Sequence, residues 1–190
     1  MLKPINQFII RCSCSAWKFA LLFAGFFGSL QALLFLGEKF KPYANGAKPL
    51  DLQNSLNSDK IFAQLADYSD QAFSLYYIFT SIDYFFPLFA GLFLAAIWAY
   101  VLRNNLPRWY EYALQRHLFV VLLIPALFDW LENITLLMTI AAFPVELGSV
   151  ADAAVIMKQA KLAATVVAQG TTGVIIITGA AMTIKRKLTG

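Results

Sequence analysis

Four stretches of the chain stay apolar over long distances: Phe19 to Leu36, Ala72 to Leu102, Leu118 to Ala142 and Leu162 to Ile184. At about 1.5 Å of rise per residue, each reaches roughly the 30 Å thickness of a hydrocarbon core. Hydrocarbon offers backbone N–H and C=O groups no partner, so these stretches are predicted to be helices. The pattern therefore reads as all-α, a polytopic membrane protein built as one four-helix transmembrane bundle over residues 1–190. The second stretch is longer than a crossing needs and contains Pro87, where a tilt or kink is expected. Between the first two stretches, Ile61, Phe62, Leu65 and Ala66 recur at helical spacing, which predicts a short amphipathic helix at about 58–70. Ser149 is placed to cap the fourth helix, whose first turns up to Lys161 are expected to stand outside the apolar layer.

Composition strengthens this picture. With 59% hydrophobic and 14% charged residues, and a mean hydropathy of +0.63, a 190-residue chain has more apolar surface than a globule of that size can bury. Lipids are the expected partner. The net charge of +4 does not point to nucleic acid, because the basic residues sit at the ends of the apolar stretches and form no patch. Lys3, Arg11 and Lys18 precede the first, Arg103, Arg108 and Arg116 fill the second connection, and Lys185, Arg186 and Lys187 follow the fourth. By the positive-inside rule these clusters are cytoplasmic, with both termini inside, as in a bacterial inner membrane. Glu38, Asp51, Asp59, Asp67 and Asp70 in the first connection and Glu146 and Asp152 in the third are expected to face outward. Lys39, Lys41, Lys48 and Lys60 share that first, long connection, where charge bias counts least. The first stretch is too long for a signal-peptide core and no small-x-small site closes it, so it reads as a retained span. Trp17, Trp98, Tyr100, Trp109, Tyr110 and Tyr112, with Tyr76 and Tyr77 near the other end of the second stretch, are expected to form an interfacial aromatic belt. Cys12 and Cys14 are too close for an unstrained disulfide and lack further ligands for a metal, so free thiols are expected, with no metal and no cofactor.

The chemistry lies in polar residues within apolar stretches. Asp83 sits in the second, and Asp129, Glu132 and Asn133 in the third. An ionisable group at membrane depth costs about 2.5 to 3.5 kcal/mol to insert. Spacings of three and four residues put Asp129, Glu132 and Asn133 on one helix face, above Pro125 and Ala126. Asp83 shares a face with Tyr76, Thr80, Pro87, Ala90 and Gly91. Gln31 and Gln169 come to similar depth from the first and fourth stretches, among small residues that permit close approach. A pocket lined by Asp83, Asp129, Glu132, Asn133, Gln31, Gln169, Tyr76 and Thr80 is the candidate ligand-binding site.

No Lys, Arg or His is expected inside a span at that depth, and three carboxylates without a cation cannot all ionise there. Protons, water or a cationic guest would then make up the balance. Three functional readings follow. One is binding or transport of a small cationic or amphipathic ligand or of protons. The second is acid–base catalysis of an isomerase-like kind by paired carboxyls. In the third, the polar groups are interhelical glue.

The segments Asp83-Tyr84-Phe85-Phe86-Pro87 and Pro125-Ala126-Leu127-Phe128-Asp129-Trp130-Leu131-Glu132-Asn133 resemble an uncharacterised group of small bacterial four-span membrane proteins. That group carries D-x-x-[FY]-P in span two and P-x-x-x-D-x-x-E-N in span three, and the resemblance extends over roughly half the chain. Where the group has a Gly-Arg pair before span two, this sequence has Asp70-Gln71-Ala72-Phe73. The resemblance implies the four-span fold and the acidic site, and no reaction.

Overall fold

A helix started in an apolar run continues until a proline removes a donor or a turn sequence stops it, and the chain divides at such points. The computed structural model describes residues 2–189, and among them there is no strand. The helices are α1 (Leu2–Ser13), α2 (Ala16–Phe40), α3 (Ser58–Ala66), α4 (Asp70–Asp83), α5 (Phe86–Asn105), α6 (Pro107–Gln115), α7 (Ile124–Ala142) and α8 (Gly148–Thr189). Short 3-10 turns occupy Lys41–Tyr43, Leu50–Leu52 and Leu118–Leu123. Four segments are long and apolar enough to cross a membrane: Ala16–Tyr43, Asp70–Asn105, Leu118–Ala142 and Gly148–Leu188.

Several local features depart from the expected pattern. The second segment is interrupted at Tyr84 and Phe85, just before Pro87. Proline has no N–H to give the Asp83 carbonyl, so the helix restarts with Pro87 in its first turn. Trp130 Nε1 donates to the Tyr84 carbonyl at 2.9 Å and covers one acceptor at the break. The third segment begins as 3-10 helix and becomes α only at Ile124, with Pro125 in the first turn. The fourth helix starts at Gly148, so Ser149 lies inside it. Its 42 residues span about 63 Å, well beyond a bilayer core. Two further amphipathic helices, α1 and α6, flank the first and third segments. In the predicted aromatic belt, Trp98 turns inward and donates to Thr172 Oγ1 at 2.8 Å, tying α5 to α8. Cys12 and Cys14 are free thiols.

The segments run antiparallel. At one end Arg103 donates to the Ser13 carbonyl (3.1 Å) and Arg186 to the Asn104 carbonyl (2.9 Å), which gathers both chain ends there. The Leu50–Leu52 turn, α3 and the α7–α8 connection form the opposite, loop end. Helix α5 is central, packing on α1, α2, α7 and α8, and α7 and α8 form a tight hairpin. Close approach is built in at Gly91, where a Cβ would stand 2.8 Å from the Leu122 carbonyl oxygen.

Two separate apolar cores result. One, at the loop end, includes Phe40, Leu50, Ile61, Leu65, Tyr76, Leu136 and Ala154. The other, toward the chain ends, includes Ile9, Leu22, Ala95, Ala99, Phe119 and Ala168. Meanwhile large apolar side chains point outward on α2, α4, α7 and α8, among them Phe35, Ile78, Leu127, Val166 and Ile177. Such an outer surface suits an apolar surrounding. The polar residues form a layer between the two cores.

Candidate functional site

The helices deliver the acids as their spacing requires. Asp129, Glu132 and Asn133 project from one face of α7, and all three are buried. Asp83, the last residue of α4, is buried beside them. A carboxylate at a helix C-terminus faces the negative end of the helix dipole, so the fold places it there against local preference. Asn133 Nδ2 resolves the juxtaposition by donating to Asp83 Oδ2 (2.9 Å) and to Asp129 Oδ2 (3.2 Å).

The expectation that no basic residue reaches this depth is overturned. Lys158 and Lys161 of α8 enter the layer, Lys158 with only 4% of its surface exposed. Lys158 Nζ lies 2.7 Å from Glu132 Oε1 and donates to the carbonyls of Asp51 (2.7 Å) and Leu50 (3.2 Å). Lys161 Nζ contacts three carboxylates: Asp51 Oδ1 at 2.9 Å, Asp129 Oδ1 at 2.9 Å and Glu132 Oε2 at 2.5 Å. The Glu132 contacts are ion pairs without the alignment of hydrogen bonds. The reason is the register of the hairpin. Glu132 and Lys158 lie equally far along the chain from Val145, as do Asp129 and Lys161, so antiparallel packing brings each pair level. That symmetry was available in the sequence. The uninterrupted apolar run of α8 begins only at Leu162, so hydropathy alone leaves both lysines outside the layer.

Asp51 also departs from the expected arrangement. Instead of facing outward, its turn folds in over α8, and the side chain is buried. Burial alone would push its carboxyl up, but Lys161 and Lys158 outweigh that and hold it below the ordinary carboxylate range. Oxygens of Asp51, Asp129 and Glu132 come within 4.8 Å of one another, a spacing suited to a cation, and the Lys161 ammonium is the cation that they surround.

A cavity of about 490 Å³ opens beside this cluster, between α2 and α8. Asp51, Asp83, Asp129, Lys158 and Lys161 line its loop end, while Phe26, Leu30, Phe86, Phe93, Leu122 and Ala168 line the rest. From Lys158 to Gln169 the lining of α8 covers eleven residue steps, about 16 Å of length. Of the expected site residues, Asp83, Asp129 and Gln169 line the cavity. Glu132, Asn133, Tyr76 and Thr80 are buried behind that lining, and Gln31 is exposed on another face of α2. Thr80 Oγ1 donates to the Tyr76 carbonyl, while the Tyr76 hydroxyl and Asn133 Oδ1 have no hydrogen-bond partner among the described residues. Asp83 differs from the other acids. No lysine contacts it, and no donor reaches its Oδ1 among the described residues.

Compared with models of protein families, with curated proteins and with solved structures, the chain matches none, so the geometry of this site carries the functional argument.

Proposed function

We propose that the protein is a four-span protein of a bacterial inner membrane, termini cytoplasmic, that holds a small amphipathic ligand with a cationic head in the cavity between α2 and α8. Its kinship with small four-span bacterial membrane proteins belongs to the same proposal. The observation that carries the reading is the charge balance against the shape of the cavity. Four carboxylates, Asp51, Asp83, Asp129 and Glu132, face two ammonium groups, and the lysines are engaged by the other three acids. Asp83 is left at the polar end of a mostly apolar chamber. In a poorly solvated site a lone carboxylate favours a proton or a cation, and a protonated amine supplies both charge and hydrogen-bond donors. The apolar walls reward a hydrocarbon body attached to it.

The test is thermal unfolding in nanodiscs with dodecylamine as probe. A ligand present at a hundred times its Kd stabilises by about 2.7 kcal/mol. Stabilisation of the wild-type protein is expected, with at least tenfold weaker binding in Asp83→Asn, whose amide oxygen still accepts from Asn133 and so preserves the layer. Equal binding by the variant, or no response in either protein, rejects the reading. A structural role is favoured for a different subset: Asp129 and Glu132 are both ion-paired with α8 lysines, so their first task is to lock the α7–α8 hairpin.

A further inference from the structure

The mouth of the cavity says where its occupant comes from. On the loop side the chamber is roofed. The Leu50–Leu52 turn lies across it with Leu50 fully buried, its two carbonyls held by Lys158 and the Asp51 carboxylate by Lys161. The roof is tied down further out as well. Gln53 Nε2 donates to the Lys48 carbonyl and to Gln64 Oε1, both at 2.7 Å, and Gln64 Nε2 donates to the Tyr68 hydroxyl at 2.7 Å. Leu52 closes the gap toward α2, reaching within 3.2 Å of where a Cβ on Gly37 would stand.

Sideways the situation is the reverse. Helix α2 packs on α4 and α5, and α8 packs on α5 and α7, but α2 and α8 do not form a packed interface with each other. The slot between them is edged by Leu34, Leu52 and Leu162, which are 51%, 40% and 37% exposed, with Asn54 at its loop-side corner. An entrance edged by exposed leucines is stable beside acyl chains and costly beside water. At its inner end stands Asp83, 2% exposed, with an oxygen that no donor among the described residues reaches.

We infer that the cavity is loaded laterally from the bilayer, through the α2–α8 slot, by a membrane-resident amphiphile whose protonated amine head passes the leucine rim to reach Asp83. This rests on the reading of the cavity as an amine site and adds the route and the source. The same head chemistry could arrive on a lipid or on a free amine dissolved in water, and the two routes give different results.

The experiment uses two amine probes with a photoreactive diazirine. One has a long chain and is carried in the nanodisc bilayer; the other has a short chain and stays in water. Cross-linked peptides are read by mass spectrometry. The long-chain probe is expected to label Phe26 and Leu30 and to be displaced by dodecylamine, and the short-chain probe to label them at least tenfold less. Narrowing the slot with Leu34→Trp and Leu162→Trp should slow long-chain labelling at least tenfold, and widening it with Leu34→Ala and Leu162→Ala should speed it. Equal labelling by the short-chain probe, or indifference to both pairs of variants, overturns the lateral route while leaving an amine site intact. Labelling that depends on the slot but is not displaced by dodecylamine overturns the amine head instead.

Discussion

Lys161 is the side chain on which the polar layer turns. Its ammonium lies among Asp51, Asp129 and Glu132, and removing one partner from such a buried cluster leaves charge uncompensated, at a typical cost of about 3–5 kcal/mol. Asp51 allows a cleaner measurement, because it lies outside the four apolar segments and its depressed pKa has a definite consequence. A carboxyl whose folded value lies below its unfolded value of about 3.9 contributes its full stability above that pH, and the contribution fades as pH falls through the folded value. Asp51→Asn is therefore expected to lose the same stability at pH 7 as at pH 5, with the gap from wild type narrowing only below about pH 4. Thermal unfolding of both proteins across that range checks it, and a gap that already narrows between pH 7 and pH 5 contradicts the assignment.

Among the helices, interruption matters as much as continuity. The α4–α5 break ends one helix on Asp83, and Trp130 of α7 answers the exposed Tyr84 carbonyl. The 3-10 start of the third segment brings the Leu122 carbonyl against Gly91, which gives this contact no tolerance for a side chain. Gly91→Ala is expected to destabilise by about 1–3 kcal/mol through that overlap. Gly170→Ala, at a helical glycine with nothing within 4 Å, should instead gain up to about 1 kcal/mol from helix propensity. Denaturation of the two variants side by side separates packing from propensity. Similar effects in both would show that the α5 contact is not tight.

At the scale of the molecule, two apolar cores enclose one polar layer, and apolar side chains cover the outer faces of α2, α4, α7 and α8. The proposed orientation rests on Lys and Arg at the end that gathers both termini. A fluorescent protein fused after the last residue is expected to fluoresce, as it does only when cytoplasmic. Exposed Ser55, replaced by cysteine in a Cys12→Ser, Cys14→Ser background, should react with an impermeant maleimide added to intact cells. A dark fusion with an unlabelled Ser55→Cys would invert the bundle.

Much of this is legible in the sequence alone, because local periodicity is physics that a sequence carries by itself. Apolar run lengths marked four helices long enough to cross a membrane, and spacings of three and four placed Asp129, Glu132 and Asn133 on one face toward Asp83. Even the pairing of Glu132 with Lys158 and of Asp129 with Lys161 was implicit in their symmetry about Val145. Other features are contacts between residues far apart in the chain, and no local pattern encodes them. Packing alone decided that the Asp51 turn folds inward onto α8, that Gln31 faces away, and that α2 and α8 stand apart to leave a chamber. Ion pairing and close packing select one arrangement among many that share the same hydrophobic pattern, so the countercharge for the buried acids emerged only with the tertiary structure.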